Sequence, residues 1–389
     1  MIKISFRKNL IYLLLLIIFY LLRRTLSIVI DKMFGLDNSV IFCLLMFLGE
    51  IVGGAWTFFY QRTFLKKKKA KINNMLLRLI KNKNKLNRAD GWPKIMFLIF
   101  SATSFDLVEF IILSNFIPKI AALSTTSTLR LCCVITITST ALCVTMLRFK
   151  IGRHQIVSLI VFGTCSIIIV ILEFIYKPKD VDLTSFIISY VLVICHFIFL
   201  SFTDVTERYL ADYDYLNPLQ ILMIEGIFGF IMTSFYGIYQ DPFKEVRNIH
   251  KEIDTGNFII LLFLLFLYFV FSAGINVYKI LCNVLYSPMT KSLTTYFFNS
   301  IFIIYFFIDS SDFITNGERN YFYFFINLFF SLLIDFFGLI YNELFVLTFC
   351  GLSKDTHEGI SHRAANAEME LITRQGTNPE YSGNLESDD

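Results

Sequence analysis

The sequence predicts an all-α, polytopic membrane protein of ten transmembrane helices, and three observations carry that reading. Ten apolar stretches, each near the roughly 20 residues that a helix needs to cross a bilayer, fill most of the 389-residue chain. The composition is 56% hydrophobic with a mean hydropathy of +0.63, beyond the roughly 45–50% apolar usage of soluble domains. One dense basic loop, Gln61–Lys94, holds twelve Lys or Arg against the single acid Asp90. Such a bias assigns a loop to the cytosolic side.

The spans follow from the apolar runs: Asn9–Ile30, Val40–Tyr60, Ile95–Phe116, Ala121–Met146, Gln155–Tyr176, Thr184–Val205, Pro218–Tyr239, Asn257–Tyr278, Ser287–Asp309 and Tyr321–Tyr341. Ten crossings put both termini on one side, the cytosolic one if Gln61–Lys94 is cytosolic. Arg148, Lys150 and Arg153 between the fourth and fifth spans agree, as do the two lysines of Lys279–Lys291. The mildly acidic Thr206–Asn217 turn does not. Residues 343–389 read as a cytosolic tail, largely disordered, rich in Gly, Ser, Asn and acids. An endomembrane location (Golgi, ER, lysosome or vacuole) is expected.

Several classes are set aside. Lysines 66–71 lie beside a membrane segment, where they set orientation or meet anionic lipid headgroups; nucleic-acid binding is not expected. The eight cysteines lie within or beside spans without a CxxC, as buried small hydrophobes do. Neither a metal site nor a cofactor is expected. No HExxH occurs, and no filter repeat or arginine ladder suggests a channel, so the protein is not expected to be an enzyme.

Ten spans divide into five plus five, 1–176 and 184–342, and an odd number per half inverts one half against the other. Inverted repeats are a transporter feature, with the site between repeats near mid-membrane. The sequence echoes itself at half-length: Gly49-Glu50-Ile-Val-Gly53 in the second span, Glu225-Gly226-Ile-Phe-Gly229 in the seventh. Glycines let backbones approach closely, so Gly49, Gly53, Gly226 and Gly229 place Glu50 and Glu225 at tight helix crossings.

Ionisable groups inside spans cost about 2.5–3.5 kcal/mol each on insertion scales and usually face a cavity. Asp106 and Glu109 share a helix face at i, i+3 in the third span; Arg130 lies on the next helix, where it can pair with them or line a pathway with Glu50 and Asp106. Asn276 and Lys279 close the eighth span, and Lys279 reads equally as a snorkelling interface lysine. Glu173 reads as an interface group, and His196 as a satisfied core histidine.

Four elements resemble the drug/metabolite transporter superfamily, in particular the F-type branch of solute carrier family 35. They are Phe105-Asp106-Leu107; Leu123-Ser-Thr-Thr-Ser-Thr-Leu-Arg130; Pro218-Leu219 through Glu225-Gly226-Ile-Phe-Gly229-Phe230; and Gly274-Ile-Asn-Val-Tyr-Lys279. The resemblance implies two inverted five-helix repeats, alternating access, and exchange of a small polar or anionic metabolite such as a nucleotide sugar, with Arg130 and Lys279 near its phosphates. The ninth span departs from the family: it lacks the arginine that F-type members tend to carry, and Asn299 or Lys291 stands in its place. The competing expectation is a non-transporting scaffold or tether that keeps the fold and works through the basic loop and tail.

Overall fold

The computed structural model describes residues 2–4, 11–36, 40–60, 91–112, 131–176, 182–214, 216–240, 254–309, 314–315, 318–347 and 356. Among them are ten helices: α1 (Ile11–Phe34), α2 (Val40–Tyr60), α3 (Trp92–Ile111), α4 (Cys133–Met146), α5 (Arg153–Tyr176), α6 (Leu183–Asp212), α7 (Pro218–Gln240), α8 (Thr255–Leu285), α9 (Pro288–Asp309) and α10 (Tyr321–Tyr341). In hydrocarbon every backbone polar group must be satisfied internally, and a helix does this within one segment.

Helix starts are written in the sequence. Proline falls in the first turn of α3, α7 and α9, where its missing N–H costs nothing. Asp182 accepts from the Thr184 and Ser185 amides, Asn217 from Leu219, and Asn320 from Tyr323, so α6, α7 and α10 begin on capped amides.

Seven of these helices are long and apolar enough to cross a membrane: α1, α2, α5, α6, α7, α8 and α10. This is a multi-pass membrane protein. The other three are shorter or more polar. The described part of α4 has 14 residues, α3 carries Lys94, Asp106 and Glu109, and α9 buries Lys291, Ser292, Thr294, Asn299 and Ser300. Large apolar side chains such as Ile160, Ile167, Phe235, Phe263 and Phe325 stand exposed on the outside, as lipid contact requires.

Packing follows a pattern. Helix α1 lies along α8, and α3 lies along α6; exchanging the two five-helix halves turns one pair into the other. Helix α3 packs on α7, and its counterpart α8 receives Gly49 and Gly53 of α2 at Ala273 and Val277. The pairs α4–α9 and α5–α10 map onto themselves. The largest apolar core lies among α4, α5, α6, α9 and α10 around Phe162, Val193, Leu293 and Ile334. A second joins α3, α7 and α8 around Ile99, Leu222 and Ile280.

Two short strands bring the ends of the bundle together. Strand β1 (Ile2–Ile4) pairs antiparallel with β4 (Phe345–Leu347), which follows α10 directly. The segments flanking α1 and α10 therefore meet at one end. At the other, β2 (Ile314–Thr315) and β3 (Glu318–Arg319) form a hairpin between α9 and α10.

Candidate functional site

The helix crossings at the glycines are tight. A Cβ on Gly226 of α7 would sit 2.8 Å from the Glu50 Cβ and the Ile51 amide nitrogen of α2. On Gly49 it would meet the Ala273 backbone nitrogen at 2.9 Å, and on Gly229 the Phe47 ring. With nothing larger than hydrogen at these positions, α2 wedges between α7 and α8 and carries Glu50 into the interior, 3% exposed. Glu225, one residue before Gly226, is carried in from the opposite helix and is 5% exposed. One carboxyl oxygen of each, Glu50 Oε2 and Glu225 Oε1, has no hydrogen-bond partner among the described residues.

These two glutamates border a buried charge cluster built on α3, α6, α8 and α9. The Lys279 Nζ of α8 stands 3.8 Å from Asp106 Oδ1 of α3, 3.8 Å from Asp204 Oδ1 and 3.5 Å from Glu207 Oε1 of α6. Lys291, in the first turn of α9, donates to both Asp204 oxygens at 2.8 and 2.6 Å. Asn283 joins the two acids through its amide, 3.1 Å to Asp204 Oδ1 and 2.5 Å to Glu207 Oε2. Glu50 and Glu225 lie within electrostatic reach of Lys279, Asp106 and Glu207. Five carboxyls thus surround two lysines. Such a set is chemically suited to polar or cationic groups, with more carboxyls than the two lysines balance.

Not every predicted residue joins it. Asn276 donates to the Met46 carbonyl of α2 at 3.2 Å, helping to fix the α2–α8 crossing. Glu109 turns away to His196 of α6, with Oε1 and Nδ1 2.9 Å apart, so that histidine has a charged neighbour as well as a core position. Asn299 donates to Ser331 at 2.9 Å in a separate α9–α10 seam, where Ser300 also donates to Asp335 at 2.5 Å. Arg130 lies outside the described residues, as do the basic segment 61–90 and nearly all of the tail. Glu173, close to the end of α5, does not snorkel outward: it is 4% exposed and accepts from the Tyr190 hydroxyl. Seven described cysteines are free thiols, six of them buried.

Asp204, one residue inside the expected end of the sixth span, and Glu207, just beyond it, are not singled out by the sequence as site residues. Hydropathy ends the sixth span at Val205 and makes Thr206–Asn217 a mildly acidic turn; α6 instead runs to Asp212. The signal is present as two acids at three-residue spacing that face two lysines, but local hydropathy reads a charged helix end as loop. Lys279 is likewise no snorkelling group; it is 7% exposed at the centre of the cluster.

A cavity of about 390 Å³ opens at the end of the bundle where α6 and α10 finish and the α4–α5 and α8–α9 connections turn. Lys150, His154, Gln155, Arg208, Ser287, Thr290 and Glu343 contribute to its wall. No family model matches the chain, and no curated protein matches it.

Proposed function

We propose that this protein is a secondary transporter that moves a small polar metabolite across an endomembrane by alternating access. In this reading its ten helices form two inverted five-helix repeats with both termini cytosolic. The observation that carries the reading is where the buried charges sit. Glu50 and Glu225 occupy the second helix of each half, and the Asp106–Lys279 pair joins the third helix of one half to the third of the other. A site shared between matched helices is what alternating access requires, because rocking one half against the other then exposes it to each face in turn. The exchangeable packing of α1–α8 and α3–α6 supports the repeat.

Charge narrows the cargo. A nucleotide-sugar-like anion, the cargo that the family resemblance implies, would draw on Lys279 and Lys291, but these lysines already face Asp106, Asp204 and Glu207. A neutral, zwitterionic or cationic metabolite moving with or against protons fits the cluster better. The scaffold reading rests on segments 61–94 and 343–389, most of which lie outside the described residues.

The test is counterflow in proteoliposomes preloaded in turn with amino acids, polyamines, sugars and nucleotide sugars. Saturable exchange by the wild type, abolished in a folded Lys279→Gln variant, is the expected result. Exchange undiminished in that variant would remove the cluster from the pathway.

A further inference from the structure

The cavity and the charge cluster are neighbours in sequence and in space. Arg208 lines the cavity and directly follows Glu207; Tyr286, Ser287 and Thr290 line it between Asn283 and Lys291. The Arg208 side chain reaches from the cavity wall to the turn of α8 that carries Asn283. Its Nε contacts Asp212 Oδ2 at 2.5 Å, and its Nη1 donates to the Asn283 carbonyl at 3.1 Å and to the Val284 carbonyl. The guanidinium therefore ties the last turn of α6 to the last turn of α8, whose terminal carbonyls lack helical partners, and does so beside the cluster.

The walls of the cavity are themselves specialised. Arg148 and Glu343 hold φ angles of 54° and 60°, a left-handed backbone that non-glycine residues adopt at a cost and that concentrates at functional sites. Arg148 directly precedes the cavity-lining Phe149–Lys150, and Glu343 itself lines the cavity. The His154 Nε2 and Glu343 Oε1 stand 3.6 Å apart across α5 and the end of α10. At about 390 Å³ the space falls in the range of small-molecule pockets.

We propose that this cavity is the outer chamber of the pathway, a second holding site for a ligand rich in hydrogen-bond acceptors, and that Arg208 is the latch closing it off from the Lys279–Asp204 cluster. Three basic side chains and the Ser287 and Thr290 hydroxyls give the chamber its donor-rich wall, against the one carboxylate of Glu343. Releasing Arg208 from the α8 carbonyls opens the way inward. The proposal rests on the transporter reading for its meaning, but the latch itself is testable without any cargo.

Cys143 is the natural reporter. It is fully buried, lies within electrostatic reach of both Arg208 and Asp204, and its carbonyl receives the Leu147 and Phe149 amides at the chamber wall. Cys165 on α5, 2% exposed and next to Cys133, is the control. Wild-type, Arg208→Lys, Arg208→Gln and Asp212→Asn proteins would be treated in proteoliposomes with a membrane-impermeant sulfonated thiol reagent. Modification of each cysteine-bearing peptide is then followed by mass spectrometry. The latch predicts Cys143 modified at least tenfold faster in Arg208→Gln, to an intermediate degree in Asp212→Asn, and little faster in Arg208→Lys, with Cys165 unchanged. Cys143 as slow in Arg208→Gln as in wild type overturns it. So does equal acceleration of Cys143 and Cys165, which marks general loosening of the bundle. Each of these results holds whether or not counterflow is ever detected.

Discussion

At the scale of single residues, the cluster is held by pairs that tolerate no half-measures. Lys291 is 2% exposed and Asp204 is fully buried, with two short contacts between them. Removing one partner of a buried pair leaves an uncompensated charge and costs about 3–5 kcal/mol, although the intact pair adds little net stability. Asp204→Asn and Lys291→Gln are each expected to lower the unfolding midpoint in detergent sharply, and the double variant to recover part of the loss. Single variants that melt with the wild type would show that the pair is not buried as described. Glu50, Asp106 and Glu225 are legible in the sequence because an acid in an apolar run has few reasons to be there. Their partners are not. Lys279 sits close enough to a helix end to pass for an interface lysine, and no local pattern says that it reaches Asp106 on a helix far earlier in the chain.

At the scale of elements, small residues decide which helices touch. The Gly226–Glu50 and Gly49–Ala273 approaches leave no room for a methyl group against backbone atoms, so the helices themselves must move. Gly163 of α5 has nothing within 4 Å of a Cβ. Gly226→Ala should therefore lower thermal stability and reduce properly folded yield, whereas Gly163→Ala should leave both unchanged, or raise stability by about 0.5–1 kcal/mol as an interior helical glycine does on replacement. Equal behaviour of the two variants would contradict the crossing. Element identity is the most readable level: an apolar run of bilayer length has one answer in lipid, and the expected starts of α2, α7 and α10 match those observed. Element ends are less readable where charge is buried. Helices α6 and α8 run on to Asp212 and Leu285, past the points where hydropathy falls, because Asp204, Glu207, Lys279 and Asn283 satisfy one another inside the bundle.

At the scale of the molecule, three features belong to one arrangement: helix pairs that interchange when the halves are exchanged, buried charges of which Glu50, Glu225, Asp106 and Lys279 stand on matched helices, and a cavity at one end of the bundle. Each alone suits a static membrane protein, since buried ion pairs can serve specificity as well as movement. Together they are what a carrier needs, a polar site enclosed between two halves and an opening toward one face. Alternating access means that this site is reached from both faces in turn. Asn276 lies on α8 one turn from Lys279 and, among the described residues, bonds a backbone carbonyl of α2, so Asn276→Cys places a thiol beside the cluster without breaking the ion pairs. The most direct measurement is labelling of that cysteine in proteoliposomes of one orientation, with an impermeant thiol reagent confined first outside and then inside. Alternating access predicts modification from each face separately. Modification from one face alone, in protein shown to be folded and inserted, would contradict it.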